Sequence, residues 1–224
     1  MSMKRFYTSR QARILCMTCA LLLWSGKALA QQEKGTWYII PKVGLTFSHI
    51  NDYGNYKQRL AYGVETEYRM SDHISLLGGI LYSMQGGERQ FEEISGYTYN
   101  ITETSILDYI TLPLYIGYHV GKNRRWMFKG GLQPAFNTKE SYKKTVRGLP
   151  QYTQEGHHSE FGHGVNTFNL ALLLGASYEY KRFVFEYRVN WGLISVFKDT
   201  HSYLNTTQQF TIGYKFRINK RTNT

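Results

Sequence analysis

The stretch that most constrains this chain is residues 167–197, where two unlike faces alternate through two successive segments. In the first, Phe168, Leu170, Leu172, Leu174, Ala176, Tyr178 and Tyr180 share one face. Asn169, Ala171, Leu173, Gly175, Ser177 and Glu179 share the other. After Lys181-Arg182 the alternation restarts. Phe183, Phe185, Tyr187, Val189, Trp191 and Leu193 fall on one side, and Glu186, Arg188, Asn190 and Gly192 on the other. A period of two sustained over this length specifies a β-hairpin. A soluble sandwich would bury the apolar face. A membrane barrel reverses this, placing the apolar face against lipid and the charges inside.

The rest of the chain decides between the two. Lys4, Arg5, Arg10 and Arg13 precede an apolar run over residues 14–24, and Ala28-Leu29-Ala30 supplies an A-x-A cleavage site. This is the pattern of a secretory signal peptide, residues 1–30, which leaves Gln31 as the new N-terminus and residues 31–224 as one domain. The run is too short to span a membrane as a helix. Both cysteines, Cys16 and Cys19, lie inside it, so the mature chain has no disulfide and no thiol chemistry. Removing Lys4, Arg5, Arg10, Arg13 and Lys27 takes the mature net charge to 27 − 5 − 16 = +6. That charge is spread along the chain, which argues against nucleic acid as a partner.

Alternation of the same kind predicts eight strands: residues 37–49, 60–70, 73–85, 106–120, 126–137, the opening pair, and 207–218. Three regularities agree. The strand number is even. Short turns (71–72, 121–124, 181–182) alternate with long polar segments (86–104, 138–165, 198–205), as in barrels with tight periplasmic turns and longer external loops. Trp37, Tyr68, Tyr118, Trp126, Tyr178, Tyr180, Phe183 and Phe216 gather at the short-turn end, where a girdle of rings meets lipid headgroups. The expected fold class is therefore all-β, an eight-stranded antiparallel up-and-down transmembrane barrel in the outer membrane. Two features fit less well. Pro41, Pro113 and Pro134 interrupt predicted ladders. Asp108 falls on the outward face near the external end, where headgroups or water would meet it.

Several segments resemble the PorT-like outer-membrane β-barrel proteins of Bacteroidetes. They are Pro41-Lys42-Val43-Gly44-Leu45, the Ser75–Gly86 strand, Tyr109-Ile110-Thr111-Leu112-Pro113-Leu114, Gly130-Gly131-Leu132-Gln133-Pro134 and Gly213-Tyr214-Lys215-Phe216. Their order and spacing carry the likeness over nearly the whole mature chain. The resemblance implies a small antiparallel outer-membrane barrel and makes Pro113 an expected feature. The name-giving member is associated with secretion and maturation of exported proteases, a role that no motif here encodes. The family supplies no catalytic residues.

The inward face collects Lys42, Glu65, Glu67, Arg69, Lys129, Glu179, Glu186, Arg188, Lys215 and Arg217, with Tyr38, Tyr109, Tyr115 and His119. Eight strands enclose a space that side chains can fill, so these groups read as a paired network that plugs the lumen. The alternative is a narrow polar path for ions or small solutes. His157, His158, Glu160 and His163 have metal-ligand chemistry, but their glycine-rich surroundings set no ligand geometry and favour a solvated loop. Ser48, His49 and Asp52 have the residue types of a hydrolase or acyltransferase site at the outer rim. Ser48 and His49 are adjacent on a strand, however, and point apart. The sequence thus predicts a non-enzymatic barrel with no cofactor, its external loops binding or scaffolding something. Its expected partners are outer-membrane lipid and envelope or secretion proteins. A small channel and a membrane-embedded enzyme are the alternatives.

Overall fold

The computed structural model describes residues 34–51, 55–94, 98–147, 152–156, 164–198 and 203–218. The segment 1–30, expected to be cleaved, lies outside them. Eleven strands form one antiparallel sheet: β1 (Trp37–Ile50), β2 (Asn55–Arg69), β3 (Ile74–Ile94), β4 (Thr98–Thr111), β5 (Leu114–Val120), β6 (Trp126–Arg147), β7 (Tyr152–Gly156), β8 (Phe168–Tyr180), β9 (Phe183–Ser195), β10 (Leu204–Tyr214) and β11 (Phe216–Ile218). β4 and β5 share one position between β3 and β6, β10 and β11 share another, and β7 pairs only with the far end of β6. What remains is a ring of eight, closed where β1 pairs with β10 and β11. Closure removes every edge that lipid would otherwise meet.

The prolines explain the two divided strands. In the β4/β5–β6 register, Thr111 lies opposite Ala135 and Leu114 opposite Leu132, so Pro113 and Pro134 fall in the same short interval. Neither can donate to the ladder. Carbonyls carry the seam across: the Gly79 N–H bonds to the Pro113 oxygen at 3.1 Å and the Leu112 N–H to the Pro134 oxygen at 2.8 Å. Pro41 lies within the matching interval of the closing seam, between Ile39–Phe216 and Lys42–Gly213, where β10 gives way to β11.

Facing follows the alternation. On the outer surface Val43, Ile80, Leu114, Ile116, Leu132, Leu172, Leu174, Leu193 and Ile212 are exposed as a continuous apolar band. At the short-turn end Trp37 packs at a tilt against Tyr68 (4.7 Å between centroids) and Trp126 against Tyr178 (4.9 Å), each pair directly opposed across a ladder. Farther from the short turns, Tyr187 packs on Phe210 at 4.6 Å, and Phe136–Phe168 at 5.4 Å stands nearer the other end.

Two expectations are corrected. Of the expected loops 86–104 and 138–165, residues 86–94, 98–104, 138–147 and 152–156 are strand: β3 and β6 run 21 and 22 residues, whereas about 9–11 tilted residues cross the hydrocarbon. Their outer halves rise beyond the membrane as paired hairpins. Outside lipid the outward face meets water and turns polar, while the buried inward face mixes Ile101, Tyr142 and Val146 with Glu103 and Ser105, so the apolar–polar alternation that reveals a strand lapses there. Asp108 lies on the outward side, yet it is buried rather than open to headgroups or water. A register shift between Asp108 and Tyr109 lets the Tyr82 hydroxyl donate to its carboxylate at 3.0 Å, with the Arg59 guanidinium 3.4 Å away.

Leu172 sits opposite Leu132 and Trp191 in the centre of the apolar band. Leu172→Arg is therefore expected to cost about 2–4 kcal/mol of barrel stability. Loss of the compact, heat-modifiable band on a gel after refolding into lipid would report it.

Candidate functional site: a filled lumen beneath external hairpins

The lumen is built in layers by inward residues of all eight barrel positions. Nearest the short turns, the Lys215 ammonium bridges Glu67 (2.8 Å) and Glu179 (2.9 Å) and lies over the Tyr38 ring. Arg69 is 3.4 Å from Glu67, and Ser75 donates to the same carboxylate at 2.8 Å. His119 closes the group 3.5 Å from Glu67.

The central layer joins five charges. Lys42 bonds Glu65 and, at 2.6 Å, Glu186; Lys129 also bonds Glu186. Arg188 reaches Glu65 at 3.0 Å, and the Tyr115 hydroxyl donates to Glu65. All five charged side chains are essentially inaccessible to solvent. Taking charges out of water is tolerable only with such partners. Beside this layer, Leu77, Tyr115, Met127 and Leu173 fill the remaining space.

Glycine makes room for these long side chains. Gly79 is the ladder partner of Glu65, and a Cβ there would stand 2.6 Å from the Glu65 Cγ. Gly175 lies between Lys129 and Arg188, and a Cβ there would stand 2.9 Å from the Arg188 Cβ.

Above the charges the lining becomes neutral. Arg188 Nε donates to Gln209 at 2.6 Å, Gln209 to Ser83 at 2.9 Å, and Asn190 to Thr207 at 2.9 Å. An apolar lid then closes the external end: Ile50, Leu107, Tyr109, Ala135, Val165, Val196 and Phe197, with Tyr203 packed against them. Backbone bonds strap the lid, from Val196 N–H to the Tyr203 oxygen (2.8 Å) and from Asn166 N–H to the Val196 oxygen (2.8 Å).

The structure brings together nine of the ten charged residues read from the sequence as one inward set. Arg217 is the exception. It stands opposite Tyr38 but is exposed at the rim, because β11 ends there. Ser48 is buried, bonded through its hydroxyl to the Gly86 N–H and oxygen (2.8 and 2.7 Å), and the His49 ring packs at a tilt against Tyr56 at 5.1 Å. Asp52 and the run His157, His158, Glu160 and His163 lie outside the described residues. The lid and the neutral layer were missed by sequence reasoning. Their one signal was the run of inward amides and hydroxyls, Gln85, Gln133, Asn169, Asn190, Asn205 and Thr207.

Beyond the membrane the hairpins carry their own ion pairs: Lys57–Glu88 at 2.8 Å, Arg89–Glu103 at 2.7 Å and Lys143–Glu155 at 2.5 Å. The hydrogen bond from Lys57 holds the Glu88 carboxyl below its ordinary value. Burial pushes Glu103 upward, but hydrogen bonds from Tyr142 and Arg89 outweigh it and leave the group lowered.

A family model described as outer membrane protein beta-barrel domain matches residues 29–198. Comparison with curated sequences returned no match. Among solved structures, the attachment invasion locus protein Ail of Yersinia pestis is 13% identical, with a TM-score of 0.41, over 82% of this chain and 100% of that one. Neisserial surface protein A is 10% identical, with a TM-score of 0.39, over 80% and 97%. OprG of Pseudomonas aeruginosa is 12% identical, with a TM-score of 0.39, over 82% and 97%. At such identities the likeness concerns the fold alone.

Two outcomes follow from this geometry. Glu186→Gln removes the carboxylate shared by Lys42 and Lys129 and should cost about 3–5 kcal/mol, since it strands buried charge. Lys57→Ala at the half-buried external pair should cost about 0–1 kcal/mol. Denaturant unfolding in detergent compares them. For Glu88 and Glu103, a lowered folded value means that the stabilisation is present at neutral pH and is lost as pH falls through that value. Acidification from about pH 7 to about pH 3 should therefore raise the protection-corrected amide exchange of residues 88–103 before that of the membrane strands.

Proposed function

This chain belongs to the outer membrane protein β-barrel domain family, and from that premise we propose that it is a non-enzymatic, non-conducting barrel whose external hairpins bind or scaffold another envelope component. One observation supports this reading above the others: the lumen is occupied across its section by interlocked side chains and closed again by an apolar lid. A conducting pore of this size would need an uninterrupted file of water. Here Lys42, Glu65, Lys129, Glu186 and Arg188 interlock in the middle of the path.

The hairpins supply what the lumen does not. β3, β4, β6 and β7 present a charged, strand-paired surface well beyond the apolar band, anchored in the barrel through β3, β4 and β6. The segments that resemble the PorT-like proteins lead us to place the chain in that group and its partner among envelope or secretion proteins. In this reading residues 1–30 are the export signal and are removed.

Planar-bilayer recording tests the reading. The purified, refolded protein should give no discrete conductance steps, and replacing residues 88–103 with a short turn should leave it silent and heat-modifiable. Reproducible unit steps from the intact chain would overturn the sealed-lumen reading in favour of a small channel. For the hairpins, photocrosslinkers at the exposed Gln90 or Lys143 in intact cells should yield adducts with an envelope protein. Adducts with lipid only would contradict the scaffold role.

A further inference from the structure

The neutral layer between the charged network and the lid encloses a small cavity. Its lining includes Gln85, Tyr109, Gln133, Asn190, Asn205 and Thr207. Among the described residues, three buried carbonyl oxygens in this lining lack a hydrogen-bond partner, Gln133 Oε1, Asn190 Oδ1 and Asn205 Oδ1, and the Tyr109 hydroxyl beside them faces Asn137. The matching amide nitrogens of Asn190 and Asn205 are engaged, with Thr207 at 2.9 Å and Gln85 at 2.5 Å. Three carbonyl oxygens and one hydroxyl thus line the same small space.

This constellation defines its guest. Buried polar groups are satisfied by protein or by ordered water, and an orphan costs about 1–3 kcal/mol. The occupant must donate hydrogen bonds to several acceptors. It must be uncharged, because no formal charge lines the space. A cation would also meet the excess in the layer below, where Lys42, Lys129 and Arg188 outnumber Glu65 and Glu186 by one. It must be very small, since the space has room for only roughly one or two waters. We propose that this chamber is a structural water site, and that its water exchanges with the exterior by opening of the Val196–Phe197–Tyr203 lid rather than through the charged layer.

The lid suits that role. It is apolar and closes directly over the chamber, sharing Tyr109 and Ala135 with it. Phe197 packs edge-on against Tyr203 at 5.3 Å, and Val165 bridges to Phe197. Below, five interlocked charged side chains lie across the path.

Hydroxyl-radical footprinting of the full mature barrel, with rapid mixing into ¹⁸O-water, tests this. Radicals formed from bound water label the side chain beside it. Tyr109 should be oxidised well above buried Tyr115 despite being inaccessible. It should incorporate ¹⁶O for some time after mixing, because the water is held. Phe197→Ala should shorten that interval several-fold while preserving heat-modifiable migration. Tyr109 oxidation no greater than that of Tyr115 would show a dry chamber and overturn the site. Exchange unaffected by Phe197→Ala but accelerated by Glu186→Gln would overturn the route. Should Phe197→Ala fail to fold, Tyr203→Ala probes the same lid, and the wild-type labelling alone still decides the site.

Discussion

Everything in this barrel depends on two buried carboxylates, Glu65 and Glu186, standing where lipid lies one strand's thickness away. A carboxylate there is intolerable unless cations converge on it. Lys42 arrives from β1, Lys129 from β6 and Arg188 from β9, so the central layer ties together distant parts of the ring. The same five side chains that compensate one another also occupy the lumen. Electrostatic satisfaction and the filling of the interior are one arrangement.

Space for that arrangement comes from glycine. Long charged residues on every inward position would collide at this diameter. Gly79 opposite Glu65 and Gly175 between Lys129 and Arg188 remove the obstruction, at the cost of weaker strand propensity at those points. The ladders on both sides and the surrounding apolar band offset that loss. A glycine-rich composition that suggests only turns is in part a set of cavities reserved for neighbouring charges.

The sequence made the barrel legible because lipid and lumen impose opposite demands on successive residues. Leu172 against Leu173-Gly175 and Tyr187 against Arg188 are decided by the bilayer alone. Legibility ended where the bilayer ends. Residues Glu88, Gln90, Thr102, Thr104, Lys143 and Thr145 are polar on a face that lipid no longer covers, and the opposite, buried face mixes Ile101, Tyr142 and Val146 with Glu103 and Ser105, so no apolar period marked them as strand. Within the lumen the members of the charged set were readable one by one, but their pairing was not, because Lys42 and Glu186 are joined by ring closure and not by proximity in the chain. The lid was hidden for a related reason: Ile50, Leu107, Val165 and Phe197 come from four separate segments, each an ordinary apolar residue until the ring closes.

Buried salt bridges of this kind seldom stabilise a fold more than apolar packing would, which raises the question of what the charges accomplish. A strand with apolar residues on both faces can slip by one residue and lose little, since either face then tolerates lipid. With Arg188 or Glu65 on one face, the slipped register drives a full charge into hydrocarbon. The charges therefore fix which face is outside on β1, β2, β6 and β9, four of the eight ring positions, and pairing carries the choice to their neighbours. Specification of facing, more than net stabilisation, accounts for an interior this polar beneath a lid this apolar.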